Sequence, residues 1–455
     1  MKAFFIVLLL VTIVLFFCVF LWMRNKPKIQ VIPQKAVVDQ MINISISNLV
    51  AHEQVALETS CKDKDDNIWL SRATFKADDK GMVNVATQAP ISGSYKGIDP
   101  MGLFWSMTPV NPKNKHALSH FTLNVCEVSL SVFSQSKLRA QKVIHRLPVS
   151  SDVEKRNIRE NGVIGTLFYP KNMKNGPGLI VVPGSNGGIP ENIAQPLASH
   201  GYAVLALGYF AAEGLPKYLS NIPLEYFQNA MQWFKKQPQV NKNKIALCGH
   251  SRGAELVLLL AATFPEEMSA VIAYTTPSLV YGDFSPDEKA AWTFKGSPIP
   301  FMPNLSDEET AKAAKDGLIP FHKGTLEDPL EEKDVFLYAM KKFSQNIDAA
   351  TIPVENLCCP LLIISGEDDK MWPAMQHGDL IMERLAQKGS TIQREHLHYP
   401  NAGHNLFIFP HFPSIDTPIP FGPVWGLLGG TAEGNAHAVR ESWQEVLNFL
   451  KKTLQ

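Results

Sequence analysis

The chain carries no excess of either charge. Its 43 Lys and Arg balance 43 Asp and Glu, for a formal net charge of +0 over 455 residues. A polyanion-binding protein needs a basic face, and no basic stripe interleaved with aromatics is present, so nucleic acid is not an expected partner. Cysteine is scarce as well. Cys18, Cys61, Cys126, Cys248, Cys358 and Cys359 form neither a paired framework nor a metal-type spacing. That excludes a disulfide-stapled scaffold, and no metal is expected. Free thiols are the expected state, Cys61 and Cys126 included. Internal repeats and low-complexity tracts are absent. So are the Gly-x-Gly-x-x-Gly and Gly-x-x-x-x-Gly-Lys loops that hold nucleotide phosphates, and no cofactor is expected.

Long apolar runs are absent too, with one exception. Ala3–Trp22 reads AFFIVLLLVTIVLFFCVFLW, about the length that crosses a hydrocarbon core of roughly 30 Å as a helix. Met23-Arg-Asn-Lys-Pro-Lys28 follows, with no small-residue cleavage site of the secretory type. Residues 1–23 are therefore predicted to be an uncleaved transmembrane anchor, and 24–35 a linker. Arg24, Lys26 and Lys28 outweigh Lys2, which places the body of the protein on the cytoplasmic side of a single-pass topology.

The length exceeds one ordinary domain, and an apolar fraction of 45% supplies a large core. Two patterns divide it. Met41-Ile-Asn-Ile-Ser-Ile46, Gln54-Val-Ala-Leu-Glu-Thr59 and Met82-Val-Asn-Val-Ala86 alternate with period two, separated by turns such as Asp78-Asp-Lys-Gly81. That predicts an all-β sandwich over 36–150. Beyond it, apolar strands such as Val163–Tyr169 and Gly178–Val182 alternate with helical segments. This is the pattern of a mostly parallel sheet flanked by helices, over 151–455. Residues 281–345 break the rhythm with prolines, charged helix fragments and the exposed-looking aromatics Trp292, Phe294, Phe301 and Phe321. They read as an insertion or lid.

The chemistry is concentrated at Gly249-His-Ser251-Arg-Gly253, set between the strand candidate Lys244–Cys248 and the helix former Glu255–Thr263. Gly-x-Ser-x-Gly in that context is the nucleophile elbow of an α/β-hydrolase. A serine hydroxyl is a weak nucleophile, so it needs a histidine to take its proton and a carboxylate to orient that histidine. In this fold the order is Ser, acid, His. Pro360–Gly366 is a late strand, followed at once by Glu367-Asp368-Asp369; Arg394–Tyr399 is the next, followed by Pro400-Asn-Ala-Gly-His404. The expected catalytic residues are Ser251, Asp369 and His404, with Asp368 as the alternative acid. His396 and His398 fall on one face of a strand, His250 is expected to point away from the site, and His437 to cap or pack a helix. An oxyanion hole needs two preorganised N–H donors. Arg252 supplies one amide, and Ser185 or Asn186, in the loop Pro183-Gly-Ser-Asn-Gly-Gly188, supplies the other.

Further segments extend the pattern: Ser94-Tyr-Lys-Gly-Ile-Asp-Pro-Met-Gly-Leu-Phe-Trp105, Leu205-Ala-Leu-Gly-Tyr-Phe210, Gly214-Leu-Pro-Lys217 and Pro223-Leu-Glu-Tyr-Phe227. With the elbow, Gly366-Glu-Asp-Asp-Lys-Met-Trp372, Tyr399-Pro-Asn-Ala-Gly-His404 and Ala436-His-Ala with Ser442-Trp443, the chain resembles the acyl-CoA thioesterases related to bile acid-CoA:amino acid N-acyltransferase. The resemblance covers nearly everything after the apolar run. It implies an N-terminal immunoglobulin-like sandwich before the α/β-hydrolase, and hydrolysis of acyl-CoA to free acid and CoA. Matching positions imply the triad Ser251, Asp369 and His404. The amino-acid-conjugating branch characteristically has cysteine at the nucleophile, so Ser251 implies water as acceptor. The chain departs from that family in its apolar N-terminus, in Pro183, Ser185 and Asn186 where the family has a glycine run, and between Pro410 and Trp425. Amide-forming transfer, carboxylester hydrolysis and a non-catalytic binding protein are the competing readings. Oligomeric state is not legible.

Overall fold

A computed structural model describes residues 26–63, 66–110, 126–283, 285, 288–414 and 418–455. The chain forms two compact units, 26–147 with 411–413, and 148–410 with 414–455.

The first unit is all-β. One sheet joins Lys28–Ile32, Asn43–Ser47 and Val83–Asn84; the other is built around Gln54–Lys62, Ile68–Lys76, Cys126–Ser134 and Lys137–Leu147. Pairing is antiparallel except where Lys137–Leu147 meets Lys35–Val37. Period-two alternation is visible in burial: every second residue of Ile68–Lys76 is buried and its neighbours face outward. Cys61 is a free thiol.

The second unit is built on eight strands: β1 (Val153–Glu160), β2 (Val163–Pro170), β3 (Gly176–Val182), β4 (Ala203–Leu207), β5 (Val240–His250), β6 (Ala270–Tyr274), β7 (Leu361–Gly366) and β8 (Arg394–Tyr399). Their order is β1-β2-β4-β3-β5-β6-β7-β8. The first two strands pair antiparallel, and everything from β4 to β8 is parallel. Every residue of β4, β6 and β7 is buried. Such continuity belongs to strands covered on both faces. The covering helices include α1 (Glu191–Ser199), α2 (Leu224–Lys235), α3 (Arg252–Thr263), α6 (Ala374–Gln387) and α7 (Ala432–Leu454). This is the α/β-hydrolase arrangement that the strand–helix alternation predicts. Between β6 and β7 the insertion contributes a short strand, Trp292–Phe294, and helices α4 (Asp307–Lys315) and α5 (Lys333–Lys342).

In an open parallel sheet, ligands meet the loops at the C-terminal strand ends. The loops after β3, β5, β7 and β8 carry 183–188, Ser251, 367–369 and 400–404. All leave the same edge of adjacent strands.

The single-pass membrane placement is corrected. Among the described residues no helix is long and apolar enough to cross a membrane. The anchor expected at residues 1–23 lies outside the described residues, so the apolarity of Ala3–Trp22 is the sole basis for it.

Candidate active site

Ser251 follows β5 directly and precedes α3. Its backbone stands at φ 57° and ψ −122°, a costly conformation for a residue with a Cβ. Hydrogen bonds hold it there. The Ser251 amide donates to the Tyr274 carbonyl at 2.9 Å, and the Ser251 carbonyl accepts from Ala254 at 2.9 Å and Glu255 at 3.1 Å. The flanking glycines have a steric cause. A Cβ at Gly249 would collide with the Gly253 carbonyl, and one at Gly253 with the Pro183 carbonyl.

Asp369 and His404 meet. His404 Nδ1 lies 2.8 Å from Asp369 Oδ2, and both side chains are buried. The other carboxylate oxygen accepts the amides of Met371 at 2.8 Å and Trp372 at 3.2 Å. An ionised carboxylate can only accept, so Nδ1 carries the proton and Nε2 is left as a base. Asp368 is turned elsewhere. It accepts from the Gly430 amide at 3.1 Å and pairs with Lys370 Nζ at 3.4 Å. Ser251 Oγ makes no hydrogen bond to His404 among the described residues; such contacts often tighten only when substrate is bound.

His250 does not point away from the site. Its ring lies 4.9 Å from that of His404 and stacks on Phe407, and its Nε2 is 3.0 Å from the His404 carbonyl. Burial, reinforced by His404, pushes its pKa down to about 3. It is neutral at physiological pH, so no second cation opposes an imidazolium at His404. Trp372 packs edge-on against His404 at 5.5 Å and donates its indole N–H to the Thr275 carbonyl at 2.9 Å. His396 and His398 share a face of β8, as the alternation predicts; their rings are 5.7 Å apart. His437 lies on the exposed side of α7, 3.3 Å from Arg440.

The expected oxyanion donors border the serine. Arg252 is the first residue of α3, where an amide has no intrahelical acceptor. Its side chain has a separate role. The guanidinium is buried, 3.1 Å from Glu255 Oε2, and donates to the Tyr281 carbonyl at 2.8 Å. Glu255 also accepts from Trp292 Nε1 at 2.6 Å and the Tyr281 amide at 3.2 Å. Burial raises Glu255 to about 7, with Arg252 opposing. Trp292 is therefore buried, contrary to its exposed look in sequence, because its indole is the donor that this carboxyl needs. The loop after β3 is anchored by the Tyr209 hydroxyl, which donates to the Pro183 carbonyl at 2.9 Å. A Cβ on Gly184 would stand 3.3 Å from Ser251 Cβ, so the loop lies against the nucleophile. Ser185 and Asn186 are exposed, and their amides serve no backbone hydrogen bond among the described residues.

Two cavities lie in this unit. A cleft of about 650 Å³ begins at Ser185 and Asn186 and includes Phe210, Lys217, Tyr218 and Asp283. A chamber of about 420 Å³ lies within the insertion, lined by Leu305, Ala311, Ile319, Val335, Phe336 and Glu332 among others. Phe336 packs on Trp372 at 5.8 Å, which links the chamber wall to His404. Burial raises the Glu332 pKa, and His404 opposes the rise. Nothing in the sequence marks Glu332, since a Glu-Glu-Lys-Asp run reads as a solvated helix start.

Comparison with known proteins follows the same lines. The profile "BAAT / Acyl-CoA thioester hydrolase C terminal" matches residues 222–455, and "Acyl-CoA thioester hydrolase/BAAT N-terminal region" matches 39–160. The chain belongs to this acyl-CoA thioester hydrolase/BAAT family. Among its relatives, mouse acyl-coenzyme A thioesterase 6 is 30% identical, with 91% of this chain and 94% of that protein covered. Mouse acyl-coenzyme A amino acid N-acyltransferase 2 is 29% identical, over 93% of this chain and 96% of that protein. The mitochondrial acyl-coenzyme A thioesterase 2 of mouse is 28% identical, over 95% and 91%. Thioesterases and an N-acyltransferase thus match this chain at similar identity. Among solved structures, an α/β hydrolase from Penicillium sp. sh18 covers 66% of this chain and 99% of its own at 19% identity and TM-score 0.39.

Proposed function

We propose that this member of the family hydrolyses acyl-CoA thioesters to free acid and CoA through an acyl-enzyme on Ser251. The observation that carries the reading is the 2.8 Å His404–Asp369 pair beside a serine on a strained elbow. His404 Nε2 takes the hydroxyl proton as Oγ attacks the thioester carbonyl. The amide of Arg252, with that of Ser185 or Asn186, meets the charge that develops on the carbonyl oxygen. The carbon–sulfur bond then breaks, and the imidazolium returns its proton to the departing CoA sulfur. Water, deprotonated by His404, attacks the acyl-enzyme carbonyl; the carbon–Oγ bond breaks, the imidazolium returns the proton to Ser251 Oγ, and the free acid leaves. Asp369 holds the imidazole tautomer and stabilises the imidazolium.

In this reading 151–455 is the catalytic unit, and 36–150 is an immunoglobulin-like sandwich. The 281–345 insertion is the lid, whose chamber takes the acyl chain. Its volume falls within the usual range of small-ligand pockets. The preference for water over an amine rests on serine, rather than cysteine, at 251. Release of CoA thiol should be followed with purified protein across acyl chain lengths, with and without glycine or taurine. Thiol release with free acid as product is the expected result. Folded protein that releases no thiol from any chain length overturns the reading; amide as main product replaces it with acyl transfer.

A further inference from the structure

We propose that the cleft beside the oxyanion loop binds the phosphopantetheine arm and phosphates of coenzyme A, so that the substrate lies with its acyl chain in the insertion chamber and its coenzyme along the opposite wall. The proposal rests on the acyl-CoA reading of Ser251. The cleft starts at Ser185 and Asn186, in the loop whose Gly184 lies against Ser251, so it lies beside the path open to a sulfur leaving Ser251.

The two cavities differ in charge. The cleft lining holds Lys217 and Lys289, both exposed, with the hydroxyls of Ser185, Ser220 and Ser285. The chamber lining holds Asp307, Glu331 and Glu332 and, among the described residues, no lysine or arginine. Phosphates are attracted to the first and repelled by the second.

The carboxylate in the cleft supplies an independent observation. Asp283 is 3% exposed. Its Oδ1 accepts from the Ser285 hydroxyl at 2.7 Å and from the amides of Lys289 at 2.8 Å and Ser285 at 3.2 Å. Among the described residues its Oδ2 is buried without a well-formed hydrogen bond, and, against the effect of burial, the Ser220 hydroxyl is the side-chain donor that helps to hold the carboxyl pKa below its ordinary value. A buried carboxylate oxygen with so little donor contact is costly, and it has room for a further partner. The pantetheine arm carries amide N–H groups and, beyond them, phosphates. Asp283 matches the first and Lys217 and Lys289 the second.

Calorimetric titration of free CoA into the Ser251→Ala protein reads the cleft without turnover. Lys217→Glu and Lys289→Glu should each weaken CoA by about tenfold, the effect of losing one charge-assisted contact. Pantetheine has the amides but no phosphate, so its affinity should fall with Asp283→Ala and far less with the lysine reversals. CoA affinity that stays within about twofold of the parent in the Lys217→Glu/Lys289→Glu double variant overturns the proposal. So does an equal loss for CoA and pantetheine in that variant. If Asp283→Ala fails to fold, the exposed lysines still decide the matter. Failure of the thioesterase reading looks different: the wild-type protein releases no thiol, while CoA still titrates into the cleft.

Discussion

Two rows of Ser, His and Asp run through the α/β unit, and the one with every hydrogen bond closed is not the one at the elbow. Ser365 Oγ lies 2.6 Å from His396 Nε2, and His396 Nδ1 lies 3.0 Å from Asp379 Oδ1. Ser251 and His404 lack the corresponding contact. Yet Ser365 is 0% exposed within β7. Its Asp379 is 63% exposed on α6, so the carboxylate is solvated. No helix starts at Ser365 to offer free amides. Ser251 has the reverse set: a strained turn, the first turn of α3, a neighbouring loop with unspent amides, and an acid buried with both oxygens engaged. A nucleophile is made by the backbone around it as much as by its side-chain partners.

The largest test of this contrast is deletion of each serine. Ser251→Ala should lower kcat for thioester hydrolysis by on the order of 10⁴ or more, since members of such a triad act as a unit. Ser365→Ala should change it by less than about threefold. A severe loss at Ser365 with a mild one at Ser251 would break the comparison. Replacing the acids sharpens it. Asp369→Asn should cost roughly 10³–10⁴ in kcat by disturbing the histidine tautomer. Asp368→Asn and Asp379→Asn should each cost less than about tenfold. If Asp368 proved the costlier neighbour, the acid would have to be reassigned.

Stability tests are smaller in scale. Gly378 lies inside α6, where alanine has the better helix propensity by about 1 kcal/mol. A Cβ there would collide with the His396 ring. Gly378→Ala should therefore destabilise, by roughly 1–3 kcal/mol in urea unfolding. Stabilisation would mean that the Ser365 row is loosely packed. A further effect concerns protons. Burial lowers His377 to about 4 from its ordinary 6.5, with Ser278 Oγ 2.8 Å from Nδ1. The folded chain then binds fewer protons at His377 than the unfolded chain below pH 6.5. This contribution is whole above pH 6.5 and drains away as pH falls toward 4. His377→Gln should flatten the stability curve over that window, and a curve parallel to wild type would refute it.

Much of the α/β unit was legible because few residue types satisfy its constraints. The elbow needs glycine on both sides, β3 and β7 carry long apolar runs at Leu179–Val182 and Leu361–Ile364, and His404 falls in the loop after the last strand of the sheet. β1 was not legible: Val153-Glu-Lys-Arg-Asn-Ile-Arg-Glu160 is charged because it is an edge strand with mostly exposed side chains. Sequence prefers Asp369 but leaves Asp368 as an alternative, and only the contact with His404 and the amides of Met371 and Trp372 separate the two in space. The side chain of Arg252 and the inward turn of His250 depend on partners that are 29 and 154 residues away. No local pattern encodes contacts of that range.

The conformation of Ser251 sets stability against activity. Glycine accepts φ 57° and ψ −122° with none of the crowding that a Cβ brings. Ser251→Gly should therefore give a chain that is inert yet melts no lower, and even higher, than its parent. Selection for heat tolerance alone would drift toward an excellent fold with no chemistry. A serine at this turn would then be a mark of selection on turnover, with the fold bearing a standing cost.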